Sequence, residues 1–386
     1  MFKNYNLNHL TAGFVTVLVG FTASVAIVFQ AALAAGGSEK DVASWIFALS
    51  LGMALSNWYY SLKYKIPILT AWSTPGAAIL VLGLPGFTMP QAIGAFMFSA
   101  FLIFLFGITG WFEKMMNRIP MQIASAMLAG VLFKFGLDVF TNMKTHLTIC
   151  LILLITYLIS KRFLNRYTMV IVLFIGMVTA YFSSEMHFEK MSFEFIHPIF
   201  TMPEFSWAAM ISLAIPLFIV TMTAQNIPGV TILKAHNYYP PVSELITGLG
   251  CINFLLAPFG AFALNLAAIT AAISMGPNVD ENPQRRYYAA ITAGVFYFII
   301  ALFAGSVASL FYAFPKELVM TIAGLALFNT IGNALLNSLK EEKTKEASFI
   351  TFLVAVSGVS ILGVGAAFWS LVAGIFSYGV LEYKKR

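Results

Sequence analysis

An uncharged stretch that contains helix breakers constrains this chain more than any other feature. Residues 66–112 include no Asp, Glu, Lys or Arg. Within them, residues 67–80 (PILTAWSTPGAAIL) combine two prolines, a glycine and several hydroxyl side chains, which interrupt a continuous helix. Hydrocarbon offers no water to unpaired backbone N–H and C=O groups, so non-helical backbone at membrane depth must be buried in protein or line a cavity. The stretch therefore predicts a broken membrane helix at a binding site.

The composition agrees with a membrane location. Of 386 residues, 60% are hydrophobic and only 10% are charged, which is far outside the range of soluble domains. The net charge of +6 comes from short basic clusters between apolar runs. This pattern is typical of topology control rather than of nucleic-acid binding. Cys150 and Cys251 lie in apolar stretches without His or Cys at ligand spacing, so we predict neither a disulfide nor a metal site.

Apolar runs divide the chain into about fourteen predicted membrane segments and leave no region for a soluble domain. The stretches 66–83 and 258–275 are broken by Pro and Gly, and the other runs lie near 11–34, 43–62, 89–110, 119–138, 146–160, 168–183, 205–226, 242–257, 286–306, 316–338, 347–362 and 366–381. With the N-terminus inside, seventeen Lys and Arg residues fall on the cytoplasmic side and four outside. We therefore predict that both termini are cytoplasmic, provided that both broken stretches cross the bilayer.

The two halves of the chain also resemble each other in sequence. Residues 69–79 (LTAWSTPGAAI) are similar to residues 256–265 (LAPFGAFALN), and residues 120–136 are similar to residues 315–332. Seven predicted spans, an odd number, separate the partners, so the halves run in opposite directions through the membrane. Such inverted repeats are typical of transporters. The predicted fold is therefore an all-α polytopic membrane protein with a 7+7 inverted repeat, although chance similarity between Gly- and Ala-rich helices is the alternative.

The two broken stretches predict where a ligand is held. The N-terminus of a half-helix presents unpaired N–H groups and a positive dipole end to an anion. These termini are expected at Ser73, Thr74 and Gly76 in the first half, and at Gly260, Ala261 and Phe262 in the second. Ser73 and Thr74 either cap the helix or donate to a ligand. Trp72 and Phe259 occupy matching positions, where they either form aromatic walls for a ligand or pack in the protein.

Polar side chains in the predicted spans add further candidates, because a buried amide without a partner costs roughly 1–3 kcal/mol. Thr223, Gln225 and Asn226 cluster before a Pro-Gly pair, and Asn265 follows the second break. The first span contributes Thr22, Ser24 and Gln30. We expect ligand contact for Gln225 and Asn265, and a structural hydrogen bond for Gln30.

The scarcity of charged residues and of catalytic motifs in this sequence limits the chemistry that we expect from it. Neither broken stretch contains an acidic residue, which favours an anionic substrate over a cation. Asp138 either carries a proton or forms an ion pair with Lys134, four residues before it. Glu244, at the start of a span, either carries a proton or complements the helix dipole. No Walker-type loop, nucleophile elbow or zincin motif is present. We therefore predict neither an enzyme nor a bound cofactor.

Two motifs resemble a known family. Residues 71–78 (AWSTPGAA) and the loop at residues 276–287 (GPNVDENPQRRY) are similar to the bacterial benzoate membrane transporter (BenE) family, and the similarity extends over nearly the whole chain. The resemblance implies proton-coupled uptake of benzoate or a related aromatic carboxylate across the bacterial inner membrane. The expected partners are therefore an aromatic carboxylate, protons and the lipid bilayer, and a homodimer is left open.

The layout also resembles, more distantly, the uracil permease-type fold of nucleobase transporters. That resemblance implies inverted repeats at about 9–185 and 204–383 within one transporter unit. It further implies a core domain at about 9–110 and 205–306 and a gate domain at about 118–185 and 315–383. Its third and tenth spans are discontinuous strand-plus-half-helix segments, which correspond here to about 66–83 and 256–275. The family's acidic residues in the eighth and tenth spans correspond to Gln225 and Asn265, which makes nucleobase binding doubtful.

We therefore expect a secondary transporter that works by alternating access, with the carboxylate at the half-helix N-termini and the ring against Trp72 and Phe259. The alternatives are an anion channel and a carrier of another small organic anion or of a nucleobase. A membrane enzyme is disfavoured, because no acid–base or metal constellation is visible.

Overall fold

The computed structural model describes residues 5–111, 120–183, 186, 189, 193–362 and 364–382. Positions outside these residues include Lys3, Lys114, Arg118, Lys190 and 384–386, which entered the charge count, and the predicted boundaries at 118, 185 and 383. The described chain is mostly helical. Its helices are α1 Leu7–Thr22, α2 Val25–Ala34, α3 Glu39–Tyr64, α4 Thr74–Gly83, α5 Met89–Ile108, α6 Met121–Thr141, α7 Leu147–Phe163, α8 Thr168–Phe182, α9 Trp207–Ala235, α10 Val242–Leu256, α11 Ile269–Met275, α12 Tyr287–Leu302, α13 Ala304–Ala313, α14 Lys316–Ser338, α15 Lys345–Ser357 and α16 Ala366–Glu382.

Several of these helices have the length and composition of membrane spans. Among the described residues, six helices qualify. The number is eight if each of two bent pairs forms one span: α1 with α2, and Pro283–Leu302 with α13. Helix α3 has 26 residues but buries polar side chains such as Ser50, Ser56 and Asn57, which lower its hydropathy. The chain is therefore a helical membrane protein, and the number of fourteen crossings stays a prediction.

Two short strands pair at the centre of the chain's two broken stretches. Strand β1, Thr70–Trp72, runs antiparallel to strand β2, Leu264–Leu266, with Ala71 opposite Asn265. The ladder continues at both ends, because Ser73 N donates to Ala263 O and Ala267 N donates to Leu69 O, each at 2.9 Å. Helix α4 follows β1, and helix α11 follows β2. The predicted strand-plus-half-helix segments are thus present in both broken stretches.

Asparagine side chains complete the hydrogen bonding of this strand pair. In a two-stranded ladder every second residue turns its backbone groups away from the partner strand. Asn57 Oδ1 accepts from Thr70 N at 2.8 Å, and Asn253 bonds both Leu264 N at 2.7 Å and Leu264 O at 3.0 Å. Buried backbone groups require such partners where water is absent. Amides from α3 and α10, together with Asn226 of α9, which accepts from Leu266 N, therefore serve as the partners that the buried strands need.

Helix α9 contains two widened turns, each immediately upstream of a proline. The π turns Met210–Ala214 and Thr221–Asn226 precede Pro216 and Pro228, respectively. Proline has no N–H to continue the helical ladder, and an inserted residue accommodates the break without unwinding the helix. The second π turn brings Thr223 and Gln225 to the neighbourhood of the strand pair, because Asn226 in the same turn bonds β2.

The longer helices pack in pairs. Helix α5 packs along α10 and α3 along α12, whereas α6 packs along α14 and α15. Small residues allow the closest approaches: a Cβ added to Gly250 would lie 2.4 Å from Phe104 N, and one added to Gly324 would lie 2.5 Å from Phe135 O. Close backbone contact between membrane helices is typical at such small residues.

The second half-helix begins later than the sequence analysis predicts. We expected its N-terminus at Gly260, Ala261 and Phe262, but α11 starts at Ile269. Gly260, at φ +102, ends a short 3-10 turn, and the following residues enter the strand pair before any helix can start. The sequence alignment that matched Trp72 with Phe259 is therefore wrong by several residues, because β1 and β2 define the equivalent positions.

Candidate functional site

A cavity of about 740 Å³, here called the central cavity, lies where the broken elements meet. It is bounded by the break between α1 and α2, by β1 and the start of α4, by the second π turn of α9, by the start of α11 and by faces of α6 and α14. The side chains among its lining residues that matter most here are Ser24, Trp72, Thr74, Ser125, Thr223, Gln225, Thr270, Tyr297, Asn329, Thr330, Asn333 and Asn337. None of the described residues that line it carries a charge, so any ligand charge must be stabilised by amides, hydroxyls and backbone dipoles.

Trp72 forms an anchored aromatic wall of the central cavity. Its Nε1–H donates to Ser24 Oγ at 2.6 Å, and its ring centroid lies 5.4 Å from that of Phe21. Ser24 Oγ in turn donates to Gly20 O at 3.0 Å, at the break between α1 and α2. Tyr297 lines the same cavity beside Gly20, where an added Cβ would lie 3.2 Å from the tyrosine hydroxyl. Among the described residues, the cavity thus offers two aromatic side chains, Trp72 and Tyr297, and the sequence analysis predicts Trp72 alone.

The predicted residues at the start of α4 have different roles: some cap or pack the helix, and others line the central cavity. Ser73 Oγ accepts from Gly76 N at 3.0 Å, so its hydroxyl oxygen caps the helix, and the side chain is buried away from the cavity. Gly76 is required for packing, because an added Cβ would lie 2.6 Å from Leu217 Cδ1. Thr74 and Pro75 line the central cavity. Of the two hydroxyls proposed for a ligand, the structure therefore presents only that of Thr74.

The polar cluster on α9 divides in the same way. Gln225 and Thr223 line the central cavity, although Thr223 Oγ1 also donates to Ile219 O at 2.8 Å. Asn226 turns away from the cavity, because its Oδ1 accepts from Leu266 N at 2.9 Å and its Nδ2 lies 3.2 Å from Met222 Sδ. Within the described residues the amide of Gln225 has no protein partner, so it is available to a ligand.

The residues upstream of β2 pack in the protein and do not line the central cavity. The ring of Phe259 contacts that of Phe200, and Gly260 lies so close to Trp45 that an added Cβ would overlap its ring. Ala261 is fully buried, and Phe262 packs between Trp45 and Phe96. These four predicted residues therefore support the strand pair and do not form the site.

Three further polar residues from the sequence analysis do not line the central cavity. Thr22 Oγ1 donates to Leu18 O at 2.7 Å within its own helix. Gln30 Nε2 donates to Val319 O at 3.4 Å, which confirms the expected structural bond. Asn265 is fully buried, and among the described residues neither atom of its amide has a partner. It lies opposite Ala71, which lines the cavity, and opposite residues of antiparallel strands point to the same face.

The sequence analysis missed a polar row on α14. Asn329, Asn333 and Asn337 recur every four residues and line the central cavity together with Thr330. A four-residue spacing places them on one helix face, and amides on a membrane helix face the protein interior or water. The signal in the sequence is a periodic row of amides in an otherwise apolar run.

The fold and the cavity define a class of protein. Half-helices that meet at an internal cavity in a mostly helical membrane chain are typical of membrane transport proteins. Among the described residues, no group of acidic, His or Cys residues could hold a metal ion. The family described as "Benzoate membrane transport protein" matches residues 3–380. The chain belongs to this benzoate membrane transport protein family, which makes it a transport protein of the inner membrane and not an enzyme.

Two relatives agree with this assignment. The chain is 41% identical to inner membrane protein YdcO of Escherichia coli (strain K12), over 97% of this chain and 95% of that protein. It is 38% identical to the benzoate membrane transport protein of Acinetobacter baylyi (strain ATCC 33305 / BD413 / ADP1), over 98% and 96% of the two chains.

The similar structures are anion transport proteins of low sequence identity, so they support the fold alone. SLC26A9 matches with a TM-score of 0.66 and 16% identity over 100% of this chain and 66% of its own. The transmembrane domain of the cyanobacterial bicarbonate transporter BicA matches with a TM-score of 0.63 and 13% identity, over 97% and 98%. Murine Slc26a9 in the inward-facing state has a TM-score of 0.63 and 16% identity, over 99% and 69%.

Proposed function

We propose that the chain is a secondary active transporter that carries benzoate or a related aromatic carboxylate together with protons. The observation that carries this proposal is a central cavity with an anchored aromatic wall and uncharged polar sides. Its volume of about 740 Å³ accommodates a small aromatic acid. The name of the Acinetobacter baylyi relative supports benzoate as the substrate class.

In the proposed complex, the substrate ring lies against Trp72 and Tyr297. The carboxylate faces the start of α4 at Thr74, where the positive end of the helix dipole favours an anion. Gln225 supplies a further donor from the cavity lining. The unpaired amide of Asn265 is fully buried opposite Ala71, so in this proposal it reaches the ligand only after a local rearrangement of the lining. An acidic side chain in the cavity would repel this substrate, and the described lining residues include none.

The proposed transport cycle uses the predicted 7+7 inverted repeat. The antiparallel pairing of β1 with β2 supports the repeat, because two equivalent strand-plus-helix segments that run in opposite directions meet in this way. Both α6 and α14 belong to the proposed gate domain, whereas the broken elements belong to the proposed core domain. Movement of the core against the gate would then expose the central cavity to each side in turn.

The proposed orientation places both termini in the cytoplasm. It follows from the positive-inside count and from the position of Lys340, Lys343 and Lys345 beyond the end of α14. The central cavity reaches Asn337 near that end of α14 and Met121 at the start of α6. With this orientation, the structure corresponds to an inward-facing state.

Uptake of labelled benzoate into proteoliposomes tests the function, with and without an inward proton gradient. We expect saturable uptake that the gradient stimulates, and saturable counterflow in preloaded vesicles. Uptake that the gradient does not change would contradict proton coupling, and absence of both binding and flux would refute benzoate as the substrate. Single-channel current without counterflow would indicate a channel instead of a carrier.

A further inference from the structure

A second cavity, of about 470 Å³, lies at the opposite end of α14 from the asparagine row. Helices α2, α4 and α13 form one side, and the first residues of α14 form the other. Phe29, Phe311, Tyr312 and Phe314 supply its aromatic walls. Gln30 and Lys316 supply its polar groups. An aromatic pocket with one cationic side chain has the chemistry that recognises an aromatic carboxylate.

The aromatic walls are held by contacts with one another. The ring centroid of Phe29 lies 5.6 Å from that of Phe311 and 5.0 Å from that of Tyr312. Phe311 and Phe314 are in edge contact at 5.4 Å. These edge and tilted geometries fix the ring orientations, so the pocket is formed before a ligand enters.

Lys316 is available to an anion in this cavity. Its side chain is exposed, and within the described residues it has no ion-pair partner. Two carboxylates near the cavity are engaged elsewhere: Glu317 Oε1 lies 3.6 Å from His146 Nε2, and Asp41 accepts from the N–H and hydroxyl of Ser38 at 2.8 and 2.7 Å. A third, Glu39, acts electrostatically on Tyr312, and among the described residues it forms no ion pair with Lys316. A carboxylate that enters the cavity therefore finds a cation whose charge these groups do not neutralise directly.

The two cavities lie along the same helix with a packed barrier between them. The second cavity ends at Met320 and the central cavity begins at Ala326, a step of about 9 Å along the helix axis. The intervening side chains are buried, and Gly324 approaches Phe135 O closely. Gln30, on the core side, donates to Val319 O across the same seam. A packed seam therefore separates the two cavities along α14.

We propose that the second cavity is a separate binding site for the aromatic carboxylate at the outer end of the pathway. Lys316 Nζ binds the carboxylate, and the ring packs among Phe29, Phe311 and Phe314. The inference rests on the proposed function for its substrate class and on the proposed orientation for its outer location. An acyl chain of a lipid is the competing occupant, and the labelling experiment below distinguishes it.

Initial rates of benzoate uptake into right-side-out membrane vesicles test the role of Lys316. We expect Lys316→Gln to raise the half-saturating external concentration about fivefold, because a charge-assisted hydrogen bond is lost. Lys316→Arg retains the cation and should stay within about twofold of the unaltered protein. Lys340→Gln, an exposed lysine beyond the other end of α14, is the matched control and should change nothing. An unchanged half-saturating concentration in Lys316→Gln would overturn the proposal.

Thiol labelling tests occupancy without transport. Met320→Cys is introduced with Cys251→Ser, which removes the exposed native cysteine, and a membrane-impermeant maleimide is added outside. Benzoate should slow labelling, benzyl alcohol should not, and in Lys316→Gln about fivefold more benzoate should be needed for the same protection. Failure of the maleimide to label in the absence of benzoate would indicate lipid occupancy and overturn the proposal. Protection without any uptake would refute the proposed function alone, whereas uptake without protection would refute this site alone.

Discussion

Replacement of Asn253 by alanine should destabilise the protein strongly, although this residue does not line the central cavity. Asn253 is fully buried, and its amide bonds both Leu264 N and Leu264 O at 2.7 and 3.0 Å. Alanine leaves both backbone groups without a partner in β2. Each such buried group costs about 1–3 kcal/mol, so we expect the free energy of unfolding to fall by about 2–5 kcal/mol after some relaxation.

Equilibrium unfolding in mixed micelles with increasing mole fraction of SDS measures this change. Asn337→Ala is the matched control, because Asn337 is an exposed amide on a membrane helix, and no partner for it is found in the described part of the chain. Its free energy of unfolding should change by less than about 1 kcal/mol. Equal stabilities of the two variants would refute the argument that side-chain amides hold the strand pair. Asn253→Ala should also weaken benzoate binding, since β2 positions the start of α11.

Three further predictions concern the central cavity. Trp72→Phe keeps an aromatic ring but removes the donor to Ser24, so we expect a rise of about three- to tenfold in the half-saturating benzoate concentration, measured by initial uptake rates. Asn333→Leu places an apolar side chain in the middle of the asparagine row, and the uptake rate should fall while the yield of folded protein on size-exclusion chromatography is unchanged; normal uptake would contradict a role for the row. Gly229→Ala places a Cβ 2.5 Å from Leu266 Cβ and should reduce both thermal stability and uptake, whereas Gly332→Ala, with no atom within 4 Å, should reduce neither.

The first broken stretch could be predicted from the sequence because its signals are local. Pro75 and the capping Ser73 mark the start of α4, and the uncharged surroundings place the break at membrane depth. The second break contains fewer such signals. Pro258 and Gly260 suggested an early helix start, but pairing with β1 fixes the strand at Leu264–Leu266 instead. A strand of three residues depends on its partner for half of its hydrogen bonds, and no local pattern reports that partner.

In the candidate site, too, the sequence does not predict the directions of single side chains. The polar cluster on α9 was found, but the sequence could not tell that Gln225 faces the cavity while the adjacent Asn226 bonds Leu266. A π turn changes the angular position of the residues that follow it, so helical periodicity does not predict their directions. The asparagine row on α14 obeyed a regular spacing, and it was recognisable as a site only after the opposing helices had been placed.

The sequence by itself determined the membrane environment, the family and the presence of costly breaks, because hydropathy, charge and Pro–Gly chemistry are properties of the chain that need no partner. The tertiary structure alone decided which polar groups are used up in holding the strands and which remain free for a ligand. Each backbone N–H or C=O in a membrane protein needs a partner, and distant residues such as Asn57, Asn226 and Asn253 supply it. The uncharged lining of the central cavity is what remains after these requirements have been met.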